Sequence, residues 1–329
     1  EGPAPEQEVI KWRMPCMWAK GSSYYTRHGP EFCDLVREMS GGRLDITPYG
    51  PGEIAGVLEY GDVLAKGTFE MAQWHSGYWA GKDLGLGYIG YMPGSPMDYW
   101  QYNYWFWEEG GVELAREFYD TVGIYYIGNQ GYADLEPIFS KVPIYSVEDL
   151  KGLKMRSSGI ALSLYEKMGV SVVALGGEAV YEALARGTID CVEHTPAKMM
   201  MDIGIHEVTD YVIEPWFHQP YTSVNYLANR KPWDSLPSDL QAIVFAATRQ
   251  TSERFQNETH REELEAKELL LAKGMEFIWL SDEEQEKQIE IARELWKDSA
   301  KKSPYAAKVL KSQTDYLKKI GLLPADYTL

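Results

Sequence analysis

The stretch from residue 149 to residue 196 constrains the fold of this chain more than any other part. Within it, segments of strand character alternate with segments of helical apolar spacing: 154–156, 160–168, 171–175, 178–186 and 188–192. Glycines follow both helical segments, as is common at helix C-termini. This alternation is typical of a parallel α/β unit, and the β-branched, apolar segment 171–175 predicts a buried strand. In such a sheet, ligands bind beyond the carboxyl ends of the strands.

Polar side chains follow two of these predicted strands, Arg156 after the first and the Glu193-His194 pair after the third. A planar guanidinium can hold a carboxylate through two parallel hydrogen bonds. The pattern leaves two roles open for Arg156, a ligand contact or a surface ion pair with an acid such as Asp149. A lone histidine is more often structural than ligand-binding, so His194 also has two open roles. We expect one lobe of a ligand-binding cleft here.

The motif in residues 154–193 carries a family resemblance. It reads K-x-R-x-x-G, then G-G-E-x-x-Y-x-A-L-x-x-G-x-x-D-x-x-E. This resembles the solute-binding proteins of tripartite ATP-independent periplasmic (TRAP) transporters. The resemblance covers most of the chain, including the opening VIKWRMPCMWAKGSSYYTRHGPEFCDLVREMSGGRLDI. The branch it matches best binds 2-oxo acids and similar monocarboxylates.

The resemblance implies an α/β, two-lobed, periplasmic-binding-protein-like fold with a central cleft. Two crossings, at about residues 128–131 and 215–222, predict discontinuous lobes. Lobe I is expected to comprise 1–128 and 217–251, and lobe II 129–216 and 252–329. A long helix at about 239–273 is expected to brace both lobes, because about 35 helical residues span ~50 Å.

An internal repeat supports two equivalent lobes. The segment VLAKGTFE at 63–70 matches ALARGTID at 183–190 in residue type, 120 positions later. Each segment reads as a helix end, a glycine and a strand carrying an acid. The alternative is coincidence, because helix–glycine–strand is common in α/β proteins.

The sequence GLGYIG at 85–90 has the GxGxxG spacing of a dinucleotide-binding loop. That fingerprint requires a strand before it and a helix after it. Here the Gly- and Pro-rich stretch 81–96 predicts a loop, and two prolines follow the motif closely. We therefore do not expect a nucleotide site.

Alignment to the family places Arg156 at the position of its carboxylate-binding arginine. Its side chain is expected to point into solvent in the open form. Aromatic residues before the glycine-rich stretch can either cover a small ligand or pack in the core. The expected ligand-binding residues are Arg156, Tyr78, Trp79, Ser157, Glu193, His194, Trp216 and Phe217.

The resemblance also implies a metal ion, sodium or calcium, beside the ligand. In the family an acidic residue binds this ion, and Gln219 occupies its position in this sequence, preceded by Phe217 and His218. A glutamine carbonyl can still coordinate a hard cation, although without a negative charge. Glu214 lies nearby and is an alternative ligand for the ion.

The composition excludes several classes of function. The formal net charge of −17 disfavours nucleic-acid binding, because an acidic chain repels phosphates. The cysteines, Cys16, Cys33 and Cys191, have no CxxC spacing, so buried free thiols are favoured over a zinc site; a Cys16–Cys33 disulfide stays open. HExxH, GxSxG and P-loop spellings are absent.

These observations favour a binding protein without enzymatic activity. It is expected to capture a 2-oxo or 2-hydroxy monocarboxylate, or a bulkier aromatic acid, and deliver it to TRAP membrane permease subunits. The alternatives are an acidic, Trp-rich carbohydrate-active enzyme and a scaffold without a small ligand.

The expected location is the periplasm. The acidic, Pro-rich start EGPAPEQE fits a mature exported chain whose signal peptide has been removed. A homodimer is a further expectation, formed through an apolar C-terminal helix with Val309, Leu310, Tyr316, Leu317 and Ile320.

Overall fold

The computed structural model describes residues 9–132 and 136–329. These residues form strands β1 Ile10–Pro15, β2 Leu44–Tyr49, β3 Met71–Trp74, β4 Ile124–Tyr132, β5 Ile138–Ser140, β6 Lys154–Ser157, β7 Ser171–Ala174, β8 Cys191–Val192, β9 Tyr211–Glu214, β10 Thr222–Asn229 and β11 Glu276–Trp279. The α-helices are α1 Ser23–Thr26, α2 Phe32–Met39, α3 Tyr60–Ala65, α4 Leu84–Gly90, α5 Tyr99–Glu108, α6 Gly111–Thr121, α7 Gly159–Lys167, α8 Val180–Ala185, α9 Ala197–Asp202, α10 Arg230–Ser235, α11 Ser238–Ala272, α12 Asp282–Lys302 and α13 Pro304–Lys319. The mixture of helices and sheets confirms the α/β class.

The strands form three sheets. β1 and β2 make a parallel pair, and β3, β10 and β4 make a second sheet in that order. The third sheet has the order β11-β9-β5-β8-β6-β7. Within it β6 is parallel to both β7 and β8, as predicted, whereas β5 runs antiparallel to its neighbours β8 and β9.

The chain divides into two compact units. Unit 1 comprises the described residues of Glu1–Trp74, Arg116–Gln130 and Asn225–Arg254. Unit 2 comprises those of His75–Ala115, Gly131–Val224 and Phe255–Leu329. These bounds differ from the predicted lobes, because residues 75–115 and 217–224 lie in unit 2. The predicted long helix is confirmed as α11, which continues from unit 1 into unit 2.

The core of unit 2 beneath the six-stranded sheet is apolar. Phe139 of β5, Val192 of β8 and Val212 of β9 pack with Leu184 of α8 and Leu270 of α11 in one buried cluster. Burying side chains of this size contributes roughly 1.5–3 kcal/mol each. This packing fixes the strand ends where Arg156 and Glu193 lie.

The two segments of the internal repeat have the same local structure. α3 and α8 are preceded by short 3₁₀ turns and followed by glycines with positive φ, +76° at Gly67 and +70° at Gly187. Glu70 then accepts a hydrogen bond from the backbone N–H of Arg13 in β1, at 2.8 Å. Asp190 accepts one from the backbone N–H of Lys154 in β6, also at 2.8 Å. The acid at the end of each repeat therefore binds the main chain of a parallel strand, at the fourth residue of β1 and the first residue of β6.

Residues 81–96 were predicted to form a loop, but Leu84–Gly90 form helix α4. Asp83 caps this helix by accepting a hydrogen bond from the N–H of Gly85, at 2.8 Å. A Cβ on Gly85 would lie 2.4 Å from the Tyr305 ring, and one on Gly87 would lie 2.7 Å from Cβ of Ile160. The glycines thus allow close helix packing. Because they lie within a helix, the GxGxxG spelling is not a phosphate-binding loop.

The prediction that residues 171–175 form a buried strand is also wrong. β7 lies at the edge of the six-stranded sheet, and its residues Ser171 and Ala174 are exposed. An edge strand has a neighbour on one side only, so apolar β-branched residues there are covered incompletely.

The cysteines are free and buried, so the open alternative of a Cys16–Cys33 disulfide is excluded. Burial raises the pKa of the thiols of Cys16, Cys33 and Cys191. Within residues 9–132 and 136–329, every helix is too short or too polar to cross a bilayer.

Candidate functional site

Arg156 is the centre of a buried polar cluster in unit 2. It lies in β6, next to Val192 of the parallel strand β8, and only 1% of it is exposed. Its Nε donates a hydrogen bond to the carbonyl of Leu175, at 3.0 Å. Its Nη1 donates another to the carbonyl of Glu193, at 2.8 Å. Leu175 follows β7 and Glu193 follows β8, so the main chain at the ends of the two neighbouring strands holds the guanidinium in place.

Nη2 of Arg156 has no hydrogen-bond partner among the described residues, although it is buried. A guanidinium has more N–H groups than the two backbone bonds use. A buried donor without a partner is costly, so it indicates a position for an acceptor that the chain itself does not supply. The expectation that this side chain points into solvent is wrong, because the two carbonyls hold it inside.

Glu193 is buried beside Arg156. One of its oxygens, Oε1, accepts a hydrogen bond from the N–H of Ser158, at 3.1 Å, and lies 3.9 Å from Nη1 of Arg156. Burial alone raises the pKa of the Glu193 carboxyl, but His218 and then Arg156 lower it to about 2. Glu193 is therefore a carboxylate.

His218 lies between two carboxylates. Its Nε2 is 3.3 Å from Oε2 of Glu193 and 3.6 Å from Oε2 of Glu136. Both contacts are ion pairs when the ring is protonated. Burial alone lowers the pKa of His218, but the two carboxylates raise it to about 9. The ring is thus a buried imidazolium at neutral pH.

Gln219 completes the cluster from the same segment. Its Nε2 donates a hydrogen bond to Oε1 of Glu136, at 2.7 Å, and also contacts Oγ1 of Thr222. Oγ1 of Thr222 donates to the same oxygen of Glu136, at 3.1 Å. Glu214, the substitute metal ligand, lies outside this cluster, because its carboxylate pairs with Lys267 at 2.8 Å.

The aromatic residues Tyr78 and Trp79 lie together in a 3₁₀ turn of unit 2. Trp79 is buried and its ring lies 4.1 Å from Nζ of Lys82. Burial raises the pKa of Tyr78 to about 12, although the charge of Arg156 opposes the rise. That electrostatic interaction places Tyr78, more than Trp79, beside the cluster.

The remaining predicted site residues are held by packing. The ring of His194 lies against Gly177, where a Cβ would come within 2.4 Å of Nε2. Trp216 is buried, and its ring stacks on Tyr165 at 6.3 Å. Tyr165 also lies 5.7 Å from the His218 ring, which connects Trp216 to the cluster.

Two further predicted residues have local partners. The N–H of Phe217 donates to Oε1 of Gln288, at 3.0 Å, and its carbonyl accepts from the N–H of Gly94, at 2.7 Å. Ser157 is buried directly after Arg156. Together Arg156, Ser157, Glu193 and Gln219 lie in the cluster, and Phe217 borders it through His218.

Comparison with known proteins identifies the family. The family described as bacterial extracellular solute-binding protein, family 7, matches residues 16–303 of this sequence. The chain belongs to this family. It is a solute-binding protein of the TRAP type rather than an enzyme, so the alternative of a carbohydrate-active enzyme is not supported.

Several similar proteins with a known ligand are also periplasmic solute-binding proteins. The monocarboxylate 2-oxoacid-binding periplasmic protein of Nostoc sp. strain PCC 7120 is 30% identical over 94% of this chain and 85% of its own length. A TRAP periplasmic solute-binding protein from Pseudoalteromonas atlantica T6c, with bound sodium and pyruvate, is 28% identical with a TM-score of 0.87, covering 95% of both chains. One from Colwellia psychrerythraea, with bound calcium and pyruvate, is 28% identical with a TM-score of 0.86 and the same coverage.

Glu136, Glu193 and His218 form a buried group that could hold a metal ion such as the sodium or calcium of these relatives, because one possible ligand atom of each lies within 4.8 Å of the others. Hard cations such as calcium are bound by several oxygen atoms at 2.3–2.6 Å. Here the ring of His218 lies between the carboxylates of Glu136 and Glu193, and the amide nitrogen of Gln219 faces Glu136. Gln219, the predicted metal ligand, donates to Glu136 in this structure, and the carboxylates of Glu136 and Glu193 are the candidate oxygen ligands of an ion.

The sequence analysis did not name Glu136 or His218 as site residues. Glu136 precedes the short strand β5, and no local pattern distinguishes it from a surface acid. His218 was noted only as a neighbour of Gln219. Its burial beside two acids depends on contacts between segments far apart in sequence.

A separate surface cavity of about 1020 Å³ lies in unit 1, with Lys66, Glu70 and Arg230 in its lining. Arg230 is already paired with Asp120 and Asp234, at 2.6 and 2.9 Å. The cavity contains none of the predicted site residues. The polar cluster of unit 2 is the better candidate.

Proposed function

We propose that this chain captures a small monocarboxylate, a 2-oxo or 2-hydroxy acid, and delivers it to the membrane permease of a TRAP transporter. Arg156 supplies the contact with the ligand carboxylate. The observation that carries the proposal is Nη2 of Arg156, a buried N–H donor without a partner among the described residues. The ligands of the relatives above, 2-oxo acids and pyruvate, support the class of ligand.

The fixed orientation of Arg156 suits this role. Two backbone carbonyls hold the guanidinium before any ligand arrives, so binding orders few side-chain rotations. A carboxylate opposite Nη2 makes charge-assisted hydrogen bonds, which contribute roughly 1.5–3 kcal/mol each. Tyr78, Trp79 and Trp216 are the proposed apolar lining, and Ser157, His194 and Phe217 complete the set of ligand contacts.

The proposal includes closure of two lobes around the ligand. We take units 1 and 2 as these lobes, in place of the bounds expected from the sequence. Small-angle scattering tests closure, because the radius of gyration should fall when ligand is added. An unchanged radius at saturating ligand would contradict it.

The direct test of function is ligand binding. Mass spectrometry of small molecules carried through purification should detect a monocarboxylate. Calorimetric titration with pyruvate, 2-oxobutyrate, lactate and an aromatic acid should then rank these ligands. Turnover of none of them is expected. If no organic acid binds or stabilises the protein, the proposal is wrong.

We also propose a periplasmic location and a homodimer. Val309, Leu310 and Leu317 of α13 are buried within unit 2, so the apolar face that motivated the dimer is covered. A dimer that exchanges this helix would keep the same contacts between two copies. Light scattering at micromolar concentration tests the dimer, and a monomer mass would remove it.

A further inference from the structure

We propose that His75 accepts a hydrogen bond from the 2-hydroxyl group of the ligand, so that the site beside Arg156 favours 2-hydroxy acids over 2-oxo acids. This inference rests on the proposed function, because it names which acids of that class the site takes. A hydroxyl group can donate a hydrogen bond, whereas a 2-oxo oxygen can only accept one. A ring nitrogen with a lone pair therefore distinguishes the two kinds of acid.

The tautomer of His75 is set by the main chain. The residue directly follows β3, and its Nδ1 lies 3.0 Å from the carbonyl oxygen of Ser223. A carbonyl oxygen only accepts, so Nδ1 carries the proton of this hydrogen bond. Burial, and then the charge of Arg156, lowers the pKa of the ring to about 4, so the ring is neutral at pH 7. Nε2 is then the unprotonated nitrogen and acts as an acceptor.

The orientation of the His75 ring is set by its neighbours. The Tyr91 ring stacks on it, with centroids 5.7 Å apart and an interplanar angle of 11°. The Tyr78 ring meets it edge-on at 5.5 Å. On a further side, a Cβ on Gly90 would lie 2.8 Å from its Cε1. A ring flip that exchanged the two nitrogens would break the bond to Ser223, so Nε2 keeps its direction.

The space beside Nε2 is left free of side-chain atoms by Gly77. A Cβ on Gly77 would lie 2.5 Å from Nε2 of His75. The φ of Gly77 is not positive, so its backbone conformation does not require glycine, whereas the space does. The carbonyl oxygen of Gly77 also lies 3.3 Å from the position of a Cβ on Gly159, three residues after Arg156. The turn that carries the acceptor is therefore packed against the loop after β6.

A second contact brings His75 to the strand end of Arg156. Tyr91, which stacks on the His75 ring, donates a hydrogen bond from its hydroxyl to the carbonyl of Ser158, at 3.5 Å. The charge of Arg156 acts on both His75 and Tyr78. The 2-substituent of an acid is one carbon away from its carboxylate. A carboxylate held by Arg156 therefore brings a 2-hydroxyl group toward this turn.

A 2-oxo acid in the same position is disfavoured. Its oxo oxygen would face the lone pair of Nε2, and the nitrogen would stay without a donor. A site that hydrogen-bonds a hydroxyl group rejects an analogue that lacks it, because the polar group of the site is then left unpaired. We therefore expect selectivity of at least ~10-fold for the hydroxy acid.

The first experiment ranks ligands of the wild-type protein. Calorimetric titration compares both enantiomers of lactate with pyruvate. The enantiomer that binds better should have a Kd at least ~10-fold lower than that of pyruvate. Pyruvate binding as tight as that of both enantiomers, or tighter, would overturn the proposal.

The second experiment removes the acceptor. His75→Phe keeps an aromatic ring, so lactate affinity should fall at least ~10-fold while pyruvate affinity changes by less than about threefold. Gly77→Ala should act in the same direction, because its Cβ occupies the space beside Nε2. His260→Phe, at an exposed position of α11, is the matched control and should keep the wild-type ratio. An equal loss of both acids in His75→Phe would leave the ring a structural role only and sink the proposal.

The ring nitrogens provide a readout that needs no variant. In nitrogen-15 NMR spectra of the wild-type protein, Nδ1 of His75 should be protonated and Nε2 unprotonated. The Nε2 signal should move when lactate is added and stay in place with pyruvate. A proton on Nε2, or the same response to both acids, would contradict the assigned role.

The outcomes separate this inference from the proposed function. If His75→Phe does not fold, the ligand ranking and the NMR spectra decide. If pyruvate binds and neither enantiomer of lactate does, the proposed function stands and this inference fails. If no organic acid binds, both fail.

Discussion

Nε2 of His218 lies 3.3 Å from Oε2 of Glu193, and each group changes the pKa of the other. The pKa of Glu193 falls from 4.5 to about 2, and that of His218 rises from 6.5 to about 9. A lowered acid pKa contributes stability above pH 4.5 that is lost as the pH falls toward 2. A raised histidine pKa contributes stability below pH 6.5 that is lost as the pH rises through 9.

We therefore expect this pair to stabilise the fold most between pH 4.5 and pH 6.5. Thermal unfolding from pH 3 to pH 10 measures the effect. His218→Gln should remove the decline between pH 6.5 and pH 9, a contribution on the order of a few kcal/mol. His260→Gln should leave the profile unchanged. A profile of His218→Gln that follows the wild type on the alkaline side would show that the pair does not control it.

The second prediction concerns ligand affinity. Arg156→Lys keeps the charge but loses the planar guanidinium, so affinity for pyruvate should fall at least ~10-fold, about 1.4 kcal/mol. Arg156→Met should weaken binding much further. Calorimetric titration measures both variants, with Arg186→Lys as the control because 77% of the Arg186 side chain is exposed. Near wild-type affinity of Arg156→Met would place the ligand carboxylate elsewhere.

Arg156 should also matter for stability without ligand. Arg156→Met leaves the carbonyls of Leu175 and Glu193 without their donors, and each unsatisfied buried group costs about 1–3 kcal/mol. A side chain that points into solvent, as the sequence led us to expect for the open form, would make no such contribution. Urea unfolding measures the difference, and an unchanged midpoint would restore the earlier expectation.

The third prediction concerns the packing of α4. Gly87→Ala places a Cβ 2.7 Å from Cβ of Ile160, an atom whose position is set by the backbone and is not moved by side-chain rotation. We expect a loss of about 1–3 kcal/mol in unfolding free energy. Gly81→Ala is the matched control, because a Cβ there meets no atom within 4 Å. Equal melting temperatures of the two variants would contradict the packing argument.

The fourth prediction concerns the thiols of Cys16, Cys33 and Cys191. All are buried, and burial raises their pKa values, so a thiol reagent should react with none of them in the native protein. All three should react after unfolding in guanidinium without reductant. Fewer than three reactive thiols in the unfolded protein would indicate a disulfide.

Local patterns predicted the elements around the site correctly. The spacing of apolar residues and the following glycines predicted α7 and α8, and Arg156 was placed at a strand end. These features depend on neighbouring residues, so the sequence contains the information directly. Gly187 illustrates this, because its positive φ is the conformation that a glycine after a helix predicts.

Contacts between distant segments could not be predicted in the same way. His218 and Glu136 meet although 82 residues separate them, and the antiparallel strand β5 that positions Glu136 is only three residues long. Helix α4 was missed because glycine has a low helix propensity. Its close packing against Ile160 and Tyr305 outweighs that preference, and these residues lie far along the chain.

The repeated acid of unit 1 and unit 2 makes Arg13 and Lys154 equivalent positions, since Glu70 and Asp190 bind their backbone N–H groups. Two residues further along the strand, one copy has Pro15 and the other has Arg156. Glu70 also pairs with the guanidinium of Arg13, at 2.9 Å, but in neither copy does this contact involve the side chain two residues further along. The residue at this strand end can therefore differ between the two units while the main-chain contact stays the same. Pro15→Arg would show whether the strand end of unit 1 can acquire an anion site.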